Sequence, residues 1–398
     1  MKNKYKERKT MLSPISGPLY PARVGSQLHN KKRDILTLSK NWQLKIDPKS
    51  IGAREGWYAS EWKFSLPVQV PDCIQSHKEL GDNYPSSEGY PNSYLGTAWY
   101  KSCSIIPETW AEEKVWLKFG GIMPAAHIWM NERYLGYHSY SPVAVKWDVS
   151  NSIKLGELNC VTVEIVESDL GFAGGMRGYK GWSGLYRPVE IEHTNKIWID
   201  DDIYVKPDFT NSQAILKVKI HNDFPYICSI AVDASVYPLV KGSPISNVQN
   251  NIKISENAEA TVYLKVPIPN FHPWFPDDPF LYLVKVRLFD GNREVDVLSE
   301  RFGMRELRVK GNRLELNREP FILRAWGEEY FSTNISPILD QNLLKRRIMA
   351  AKQMGFNGVR YHTHIAPPEE LNLCDELGLL VHDEISVISN FNKTEPYP

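Results

Sequence analysis

The last part of the chain, about ninety residues, differs in hydrophobic period from everything that precedes it. From about residue 306, apolar strands alternate with helical segments in the order strand, helix, strand, helix, strand. This alternation indicates parallel strands joined by helices. A (β/α)₈ barrel needs eight such units in about 250 residues, so residues 306–398 can supply only its N-terminal part. We therefore expect an incomplete TIM barrel in a fragment or truncated product; a small three-stranded unit is the alternative.

Both helices in this region have end signals that can be recognised in the sequence. The first is predicted to begin after Asp340, a good N-cap residue, and to stop at Gly355. The second is predicted to open at Pro368 and to close at Gly378. Four apolar side chains are expected on one face of the first helix: Leu344, Ile348, Ala351 and Met354.

Two all-β regions are predicted before this segment. Residues 36–200 contain many short alternating strands, with Asn131 and Glu132 at a hairpin turn, and this pattern is typical of a jelly-roll sandwich. Residues 201–305 contain four alternating segments, as in an immunoglobulin-like sandwich. Residues 1–35 are polar and are predicted to be a flexible N-terminal segment.

The composition excludes several classes of protein. The 47 basic residues balance 47 acidic ones, which argues against a nucleic-acid-binding surface. No run of apolar residues is long enough to span a membrane, and no signal peptide is recognised, so a cytoplasmic protein is predicted. The five cysteines are odd in number and widely spaced, which argues against a disulfide framework or a zinc finger. No cofactor is expected, because no phosphate-binding loop is found.

Four stretches of the chain carry a resemblance to a known family: Gly96–Pro107, Leu117–Val149, Gly181–Glu192 and Met354–Glu384. In this order they resemble the N-terminal part of glycoside hydrolase family 2, which includes β-galactosidase, β-glucuronidase and β-mannosidase. The resemblance implies a jelly-roll sugar-binding domain, an immunoglobulin-like domain and a catalytic barrel. It also implies a terminal β-linked sugar as partner and leaves assembly into a homo-oligomer open.

Family members of this kind are retaining exo-β-glycosidases, which hydrolyse O-glycosyl bonds with two carboxyl groups about 5 Å apart. The resemblance implies that both are glutamates on later barrel strands, beyond Pro398. The chain alone is therefore predicted to be inactive, and no catalytic residue is assigned within it.

The carboxyl ends of the predicted barrel strands hold the candidate substrate-binding residues, because strand ends face the active site of a barrel. Seven are predicted: Trp326, Glu328, Arg360, His362, His364, Asp383 and Glu384. Arg177 and Trp182 are secondary candidates. Which of His362 and His364 contacts the sugar is left open. The alternative is structural, with Arg360 and Glu384 forming an ion pair that supports the barrel floor.

Two other functions are compatible with the sequence. The chain could be a non-catalytic carbohydrate-binding or scaffold protein, with Trp182, Tyr186 and Trp274 as contacts; an interface role suits Trp182 and Tyr186 better. The stretch Phe271–Tyr282 around Trp274 is interpreted as a rigid loop that packs on the next domain. A zinc-dependent barrel hydrolase is the weaker alternative, based on the His-x-His pair at His362.

Overall fold

The computed structural model describes residues 20–21, 32–80, 94, 96–141, 143–166, 183–239, 242–328, 340–362 and 365–384. These residues form two antiparallel β-sandwiches followed by a small parallel sheet with two helices. The prediction of a mainly β chain with several domains is confirmed. Neither helix found in these ranges has the length or the apolar character needed to cross a lipid bilayer.

The first sandwich consists of two antiparallel sheets, ordered β1-β9-β6-β11-β2 and β4-β3-β5-β10-β7-β8. Its strands are β1 (Tyr20–Pro21), β2 (Ile35–Thr37), β3 (Trp42–Asp47), β4 (Leu66–Val68), β5 (Thr97–Ile105), β6 (Lys114–Phe119), β7 (Ile122–Met130), β8 (Arg133–Ser141), β9 (Val145–Asp148), β10 (Leu158–Val166) and β11 (Val189–Thr194). Three short 3₁₀ turns lie between them: Ile74–Ser76, Lys78–Leu80 and Glu108–Trp110. Apolar side chains from both sheets, such as Leu117 and Val163, form the core.

The predicted hairpin joins β7 to β8. Asn131 and Glu132 form its turn with positive φ angles of 48° and 69°. Both residues therefore adopt the left-handed conformation that a two-residue hairpin requires, and asparagine tolerates it better than most side chains. The Asn131 side chain also accepts a hydrogen bond from the Cys160 backbone N–H at 2.9 Å. The prediction of this turn is confirmed.

A disulfide joins Cys103 of β5 to Cys160 of β10. The two residues lie directly opposite each other in neighbouring strands of the six-stranded sheet. Cys73, Cys228 and Cys374 are buried free thiols. The argument against disulfides was therefore wrong for this pair, because a separation of 57 residues along the chain does not reveal which strands are neighbours.

The second sandwich also has two antiparallel sheets. In one, β14 pairs with β12, β13 and β17; the other has the order β16-β15-β18-β19. The strands are β12 (Ile197–Ile199), β13 (Tyr204–Asp208), β14 (Gln213–Asn222), β15 (Cys228–Pro238), β16 (Ser246–Ile254), β17 (Ala258–Pro267), β18 (Tyr282–Asp290) and β19 (Arg293–Phe302). Alternate residues such as Leu216, Val232 and Val286 are fully buried between the sheets.

A buried cluster of charged residues fills the seam between the two sandwiches. Arg33 binds both carboxylate oxygens of Asp296, at 3.0 and 2.7 Å, and Asp201 at 2.6 Å. Lys118 forms ion pairs with Glu192 at 2.9 Å and with Asp201 at 3.1 Å. Arg33 belongs to residues 1–35, which the sequence predicts to be a flexible segment, and its side chain is buried in this cluster.

Lys146 is the third cation of this seam. Its ammonium group lies 3.3 Å from Asp201 and over the rings of Trp116 and Trp198, at 4.7 and 4.4 Å from their centroids. Burial lowers the pKa of Lys146, and Asp201 opposes that shift. Burial likewise acts to lower the pKa of Lys118, but Asp201 and Glu192 outweigh it and raise that pKa. The carboxylates of the seam therefore favour the charged form of Lys118, whereas at Lys146 they offset only part of the effect of burial.

The C-terminal region begins with a small antiparallel sheet and continues as a parallel one. The antiparallel strands are β20 (Leu307–Lys310), β21 (Arg313–Leu316) and β22 (Glu319–Phe321). The parallel sheet has the order β23-β24-β25, and its elements are β23 (Ala325–Glu328), α1 (Gln341–Gln353), β24 (Gly358–Tyr361), α2 (Pro368–Leu377) and β25 (Leu380–His382). The predicted order of strand, helix, strand, helix and strand is thus confirmed.

The helix ends agree with the sequence, but one predicted core residue does not. Asp340 caps α1 by accepting hydrogen bonds from the backbone N–H groups of Asn342 and Leu343 at 2.9 and 3.1 Å. Gly378 ends α2 in the left-handed conformation, with φ of 79°. Three of the predicted apolar residues of α1 are buried: Leu344, Ile348 and Ala351. Met354 lies after the end of α1 and is 71% exposed, so its placement on the buried face was wrong.

The aromatic loop of the second sandwich packs on α2. Trp274 is 1% exposed, and its indole N–H donates to the backbone oxygen of Asp375 at 2.9 Å. A Cβ atom at Gly378 would lie 2.0 Å from the backbone oxygen of Pro276 in the same loop. The interpretation of residues 271–282 as a loop packed on the next part of the chain is confirmed.

Candidate functional site

The parallel sheet has two faces, which its pairing register separates. Two successive rows of side chains alternate between them: Trp326, Val359 and Val381, followed by Gly327, Arg360 and His382. Val359 and Val381 pack with Ile348 and Cys374 of the two helices. The first row therefore lies on the face covered by helices, here called the helix face. The second row lies on the opposite face, here called the open face.

Three predicted site residues meet on the open face at the carboxyl ends of β24 and β25. Arg360 donates to Glu384 at 2.5 Å and to Nδ1 of His362 at 3.0 Å. His362 Nδ1 also lies 3.6 Å from a Glu384 oxygen. All three side chains are partly exposed. We call this group the open-face triad; it presents a cation, an imidazole and a carboxylate, which can donate to and accept from hydroxyl groups.

Two other predicted residues, Trp326 and Glu328, lie on the helix face. The indole N–H of Trp326 donates to Glu328 at 3.2 Å, and Glu328 forms an ion pair with Arg347 of α1. The Trp326 ring packs edge-on against Phe356. Glu328 is only 9% exposed. These contacts attach the end of β23 to the helix layer and point both side chains away from the open-face triad.

Asp383 supports the loop between β24 and α2. One of its oxygens accepts a hydrogen bond from the backbone N–H of Ala366 at 3.1 Å. Asp383 also raises the pKa of Glu370, which lies on α2. Asp383 therefore belongs with the helix face, where it fixes the loop rather than joining the triad.

Glu370 is a buried carboxyl on the helix face that the sequence did not single out. Burial raises its pKa to about 7; Glu328 and Asp383 add to the shift, and Tyr361 and Arg347 oppose it. Burial, with Glu370 and Cys374 nearby, also raises the pKa of the Tyr361 hydroxyl well above its ordinary value. Glu370 and Cys374 are both buried in α2 and are four residues apart, so helical spacing was the signal that could have identified this position.

The structure thus divides the predicted set of site residues. It brings Arg360, His362 and Glu384 together and places Trp326, Glu328 and Asp383 elsewhere. The remaining predicted residues lie outside the described part of the chain: His364, Arg177 and Trp182. The ion pair of Arg360 and Glu384, which was the structural alternative, exists in the structure and is part of the same triad.

The alternative functions receive little support from the geometry. Tyr186 and Trp274 are 3% and 1% exposed, so neither ring is available to stack on a sugar. Within the described ranges, no three His, Cys, Asp or Glu side chains are grouped so that they could hold a metal ion. In addition, Nδ1 of His362 faces the Arg360 guanidinium, and a cation at that distance disfavours a second one.

A groove of about 780 Å³ lies between the second sandwich and the parallel sheet. It is lined by residues such as Arg305, Phe321, Leu380 and His382, and it does not include the open-face triad. Four exposed apolar side chains lie on β20 and after β22: Leu307, Val309, Ile322 and Leu323. These four side chains leave apolar surface exposed next to the groove.

Comparison with known proteins identifies a family. The model of the glycosyl hydrolases family 2 sugar binding domain matches residues 35–195, and the glycosyl hydrolases family 2 model matches residues 197–305. Together the two matches cover well over half of the 398 residues.

Relatives by sequence agree with these matches. A putative β-glucuronidase of Formosa agariphila is 25% identical over 359 residues, which are 87% of this chain and 32% of the relative. A β-galactosidase of Oenococcus oeni is 22% identical over 384 residues, which are 90% of this chain and 36% of the relative. The chain therefore spans about a third of the length of these two relatives.

Solved structures have the same fold. The crystal structure of Bacteroides uniformis β-glucuronidase superposes with a TM-score of 0.76 at 21% identity, covering 89% of this chain and 42% of that one. β-Glucuronidase from Ruminococcus gnavus superposes with a TM-score of 0.73 at 22% identity, covering 93% and 61%. On the two family matches, which these similarities support, the chain belongs to glycosyl hydrolase family 2.

Proposed function

We propose that the chain forms the two accessory sandwiches and the first three strands of a (β/α)₈ barrel in a β-glycosidase. The parallel register of β23, β24 and β25, with α1 and α2 on one face, supports this proposal. The open, partly apolar surfaces around β20 and β22 are where further strands and helices of a barrel would pack. On this proposal the first sandwich is a jelly roll and the second is immunoglobulin-like.

The proposed activity is hydrolysis of a terminal β-linked sugar with retention at the anomeric carbon. Retention needs a carboxylic acid and a carboxylate nucleophile about 5 Å apart. At the described part of the sheet, Glu384 is paired with Arg360 and Glu328 with Arg347, and we assign neither carboxylate to this role. We therefore propose that the two reactive glutamates lie on later strands of a longer protein, and that the 398-residue chain has no turnover.

The open-face triad is the observation that carries the proposal. Arg360 lies near the carboxyl end of β24, and His362 and Glu384 follow β24 and β25, at the edge where barrel enzymes bind substrate. Their donors and acceptors are held by one another, so the triad is pre-organised toward sugar hydroxyls. His364 stays a second candidate for the imidazole contact, while Trp326, Glu328 and Asp383 have a supporting role.

The substrate class is proposed from the relatives. Matching proteins are named β-glucuronidase and β-galactosidase, and one Ruminococcus gnavus β-glucuronidase structure is a complex with D-glucuronic acid. A β-D-glucuronide and a β-D-galactoside are therefore the two sugars to compare. The triad can bind the hydroxyls of either, because Glu384 offsets the charge of Arg360.

Saturation-transfer NMR with methyl β-D-glucuronide and methyl β-D-galactoside tests this proposal. We expect transfer to at least one sugar with the wild-type chain and a strong loss of transfer with Arg360→Gln. Arg346→Gln removes the same charge from an exposed position of α1 and should leave transfer unchanged. Equal transfer in Arg360→Gln and wild type would contradict the assignment of the triad.

An aryl β-glycoside panel tests the second half of the proposal. The purified 398-residue chain should release no aryl alcohol above a blank. Turnover that a single Glu→Gln change within the chain abolishes would show that a reactive glutamate is present, and it would overturn the proposed division of the barrel.

A further inference from the structure

Helix α2 is held at its two ends by different sandwiches. At its C-terminal end, the backbone oxygen of Asp375 accepts from Trp274, and Glu376 pairs with Arg301, both partners belonging to the second sandwich. At its N-terminal end, Glu369 pairs with Arg187, which precedes β11 of the first sandwich. Helix α2, which comes after His362 in the chain, therefore contacts both sandwiches.

The contact at the N-terminal end is a buried ion pair. Arg187 Nη2 lies 2.6 Å from a Glu369 oxygen, and the side chains are 1% and 14% exposed. Arg187 also donates from Nη1 to the backbone oxygen of Gly120 at 3.2 Å. Within the described residues, Arg187 Nε and the second Glu369 oxygen are buried without a hydrogen-bond partner. The pair therefore depends on one short contact between two residues that are 182 positions apart in the chain.

Glu369 is the second residue of α2, so its position determines where the preceding loop ends. His362 directly follows β24, and its backbone N–H donates to the backbone oxygen of Glu328 at 2.9 Å. Nearer to α2, the backbone N–H of Ala366 donates to Asp383 at 3.1 Å. Of these anchors, the Glu369 contact is the one made by the first sandwich.

We propose that Arg187 is a positioning residue of the candidate site: through Glu369 it sets the start of α2 and thereby the orientation of His362 in the open-face triad. This inference rests on the proposed function of the triad. It assigns the first sandwich a role in shaping the sugar site from a distance, without contact between Arg187 and the sugar.

The test uses the full chain with histidine labelled at 13Cε1. The chain has ten histidines, and the resonance lost in His362→Gln assigns the His362 ring. We expect Arg187→Gln and Glu369→Gln to shift this resonance in the same direction and to weaken sugar binding about tenfold. The double variant should be no worse than the poorer single variant, because both changes break one contact. Arg187→Lys should restore part of the affinity.

Arg301→Gln is the matched control, because it breaks the ion pair between Arg301 and Glu376 at the other end of α2. It should leave the His362 resonance and sugar affinity unchanged. If Arg187→Gln and Glu369→Gln lower the melting temperature but leave the His362 resonance at its wild-type position, Arg187 is only structural and the proposal fails. Should Arg187→Gln not fold, Glu369→Gln and Arg187→Lys decide the question by the same resonance.

The resonance is read without sugar, so the two proposals can fail separately. A wild-type chain that binds no glycoside contradicts the proposed function of the triad. A His362 resonance that is insensitive to Arg187 and Glu369 contradicts the positioning role, whether or not sugar binds.

Discussion

Arg33 and Asp296 form a two-point ion pair across the seam between the sandwiches, with both side chains 1% exposed. Removal of one partner from a buried pair leaves the other charge without compensation, which costs about 3–5 kcal/mol. We therefore predict that Arg33→Ala lowers the free energy of unfolding by that amount, measured by urea denaturation. Arg54→Ala, at an exposed side chain, should change it by less than about 0.5 kcal/mol. Equal effects of the two substitutions would contradict a seam held together by Arg33.

The buried carboxyl of Glu370 should make the helix face sensitive to pH. Its pKa is raised to about 7 by burial, above the ordinary value of 4.5. The folded state therefore holds a proton that the unfolded state releases, so stability is highest below pH 4.5 and falls as pH rises to about 7. The full shift corresponds to about 3 kcal/mol. Hydrogen exchange of α2 should accordingly be faster at pH 8 than at pH 5 after correction for the intrinsic rate.

Glu370→Gln should remove this pH dependence and slow exchange at pH 8, because the amide stays neutral between pH 5 and pH 8. Glu376→Gln changes an exposed carboxyl on the same helix and should keep the wild-type dependence. If the corrected exchange rate of the Glu370→Gln variant has the same slope with pH as wild type, Glu370 is not the titrating group.

Thiol counting tests the pairing of the cysteines. Of the five, Cys103 and Cys160 are joined, and Cys73, Cys228 and Cys374 are buried thiols. Burial raises the pKa of both Cys73 and Cys374 to about 12, so these two should react slowly with iodoacetamide in the native protein. In protein denatured without a reductant, mass spectrometry should count three alkylated cysteines. After reduction it should count five. Five thiols before reduction would mean that the disulfide is absent.

Trp274 connects the second sandwich to α2 and should contribute strongly to stability. Trp274→Ala removes a fully buried ring and is expected to cost about 3–5 kcal/mol. Trp274→Phe keeps most of the ring but loses the hydrogen bond to the Asp375 backbone oxygen, which should cost about 1 kcal/mol from that contact. Thermal unfolding of both variants measures the difference. A Trp274→Ala variant as stable as wild type would contradict the packing of this loop on α2.

Local signals in the sequence predicted local structure well. Asp340 caps the start of α1 and Gly378 ends α2, as predicted, and Asn131 and Glu132 form the predicted turn. These features could be predicted because each one depends on the backbone geometry of a few neighbouring residues. The same reasoning misplaced Met354, since helical periodicity does not say where the buried face ends.

Relationships between distant parts of the chain could not be predicted. The disulfide of Cys103 and Cys160 depends on which strands are neighbours, and the pair of Arg187 and Glu369 depends on how a sandwich packs on a helix. Arg360 and His362 were predicted as members of one site without a face being assigned to them, and only the packed helices reveal that Glu328 lies on the opposite face of the sheet. The domain limits near residues 36, 201 and 306 and the cytoplasmic location stay predictions.

The central claim is that the open-face triad binds a terminal sugar, and the 13Cε1 resonance of His362 tests it most directly. On titration with methyl β-D-glucuronide or methyl β-D-galactoside, we predict a saturable shift of this resonance, with a dissociation constant on the order of millimolar. The shift should be absent in Glu384→Gln. A His362 resonance that stays in place with both sugars, while the resonances of other histidines respond, would contradict the assignment of the site.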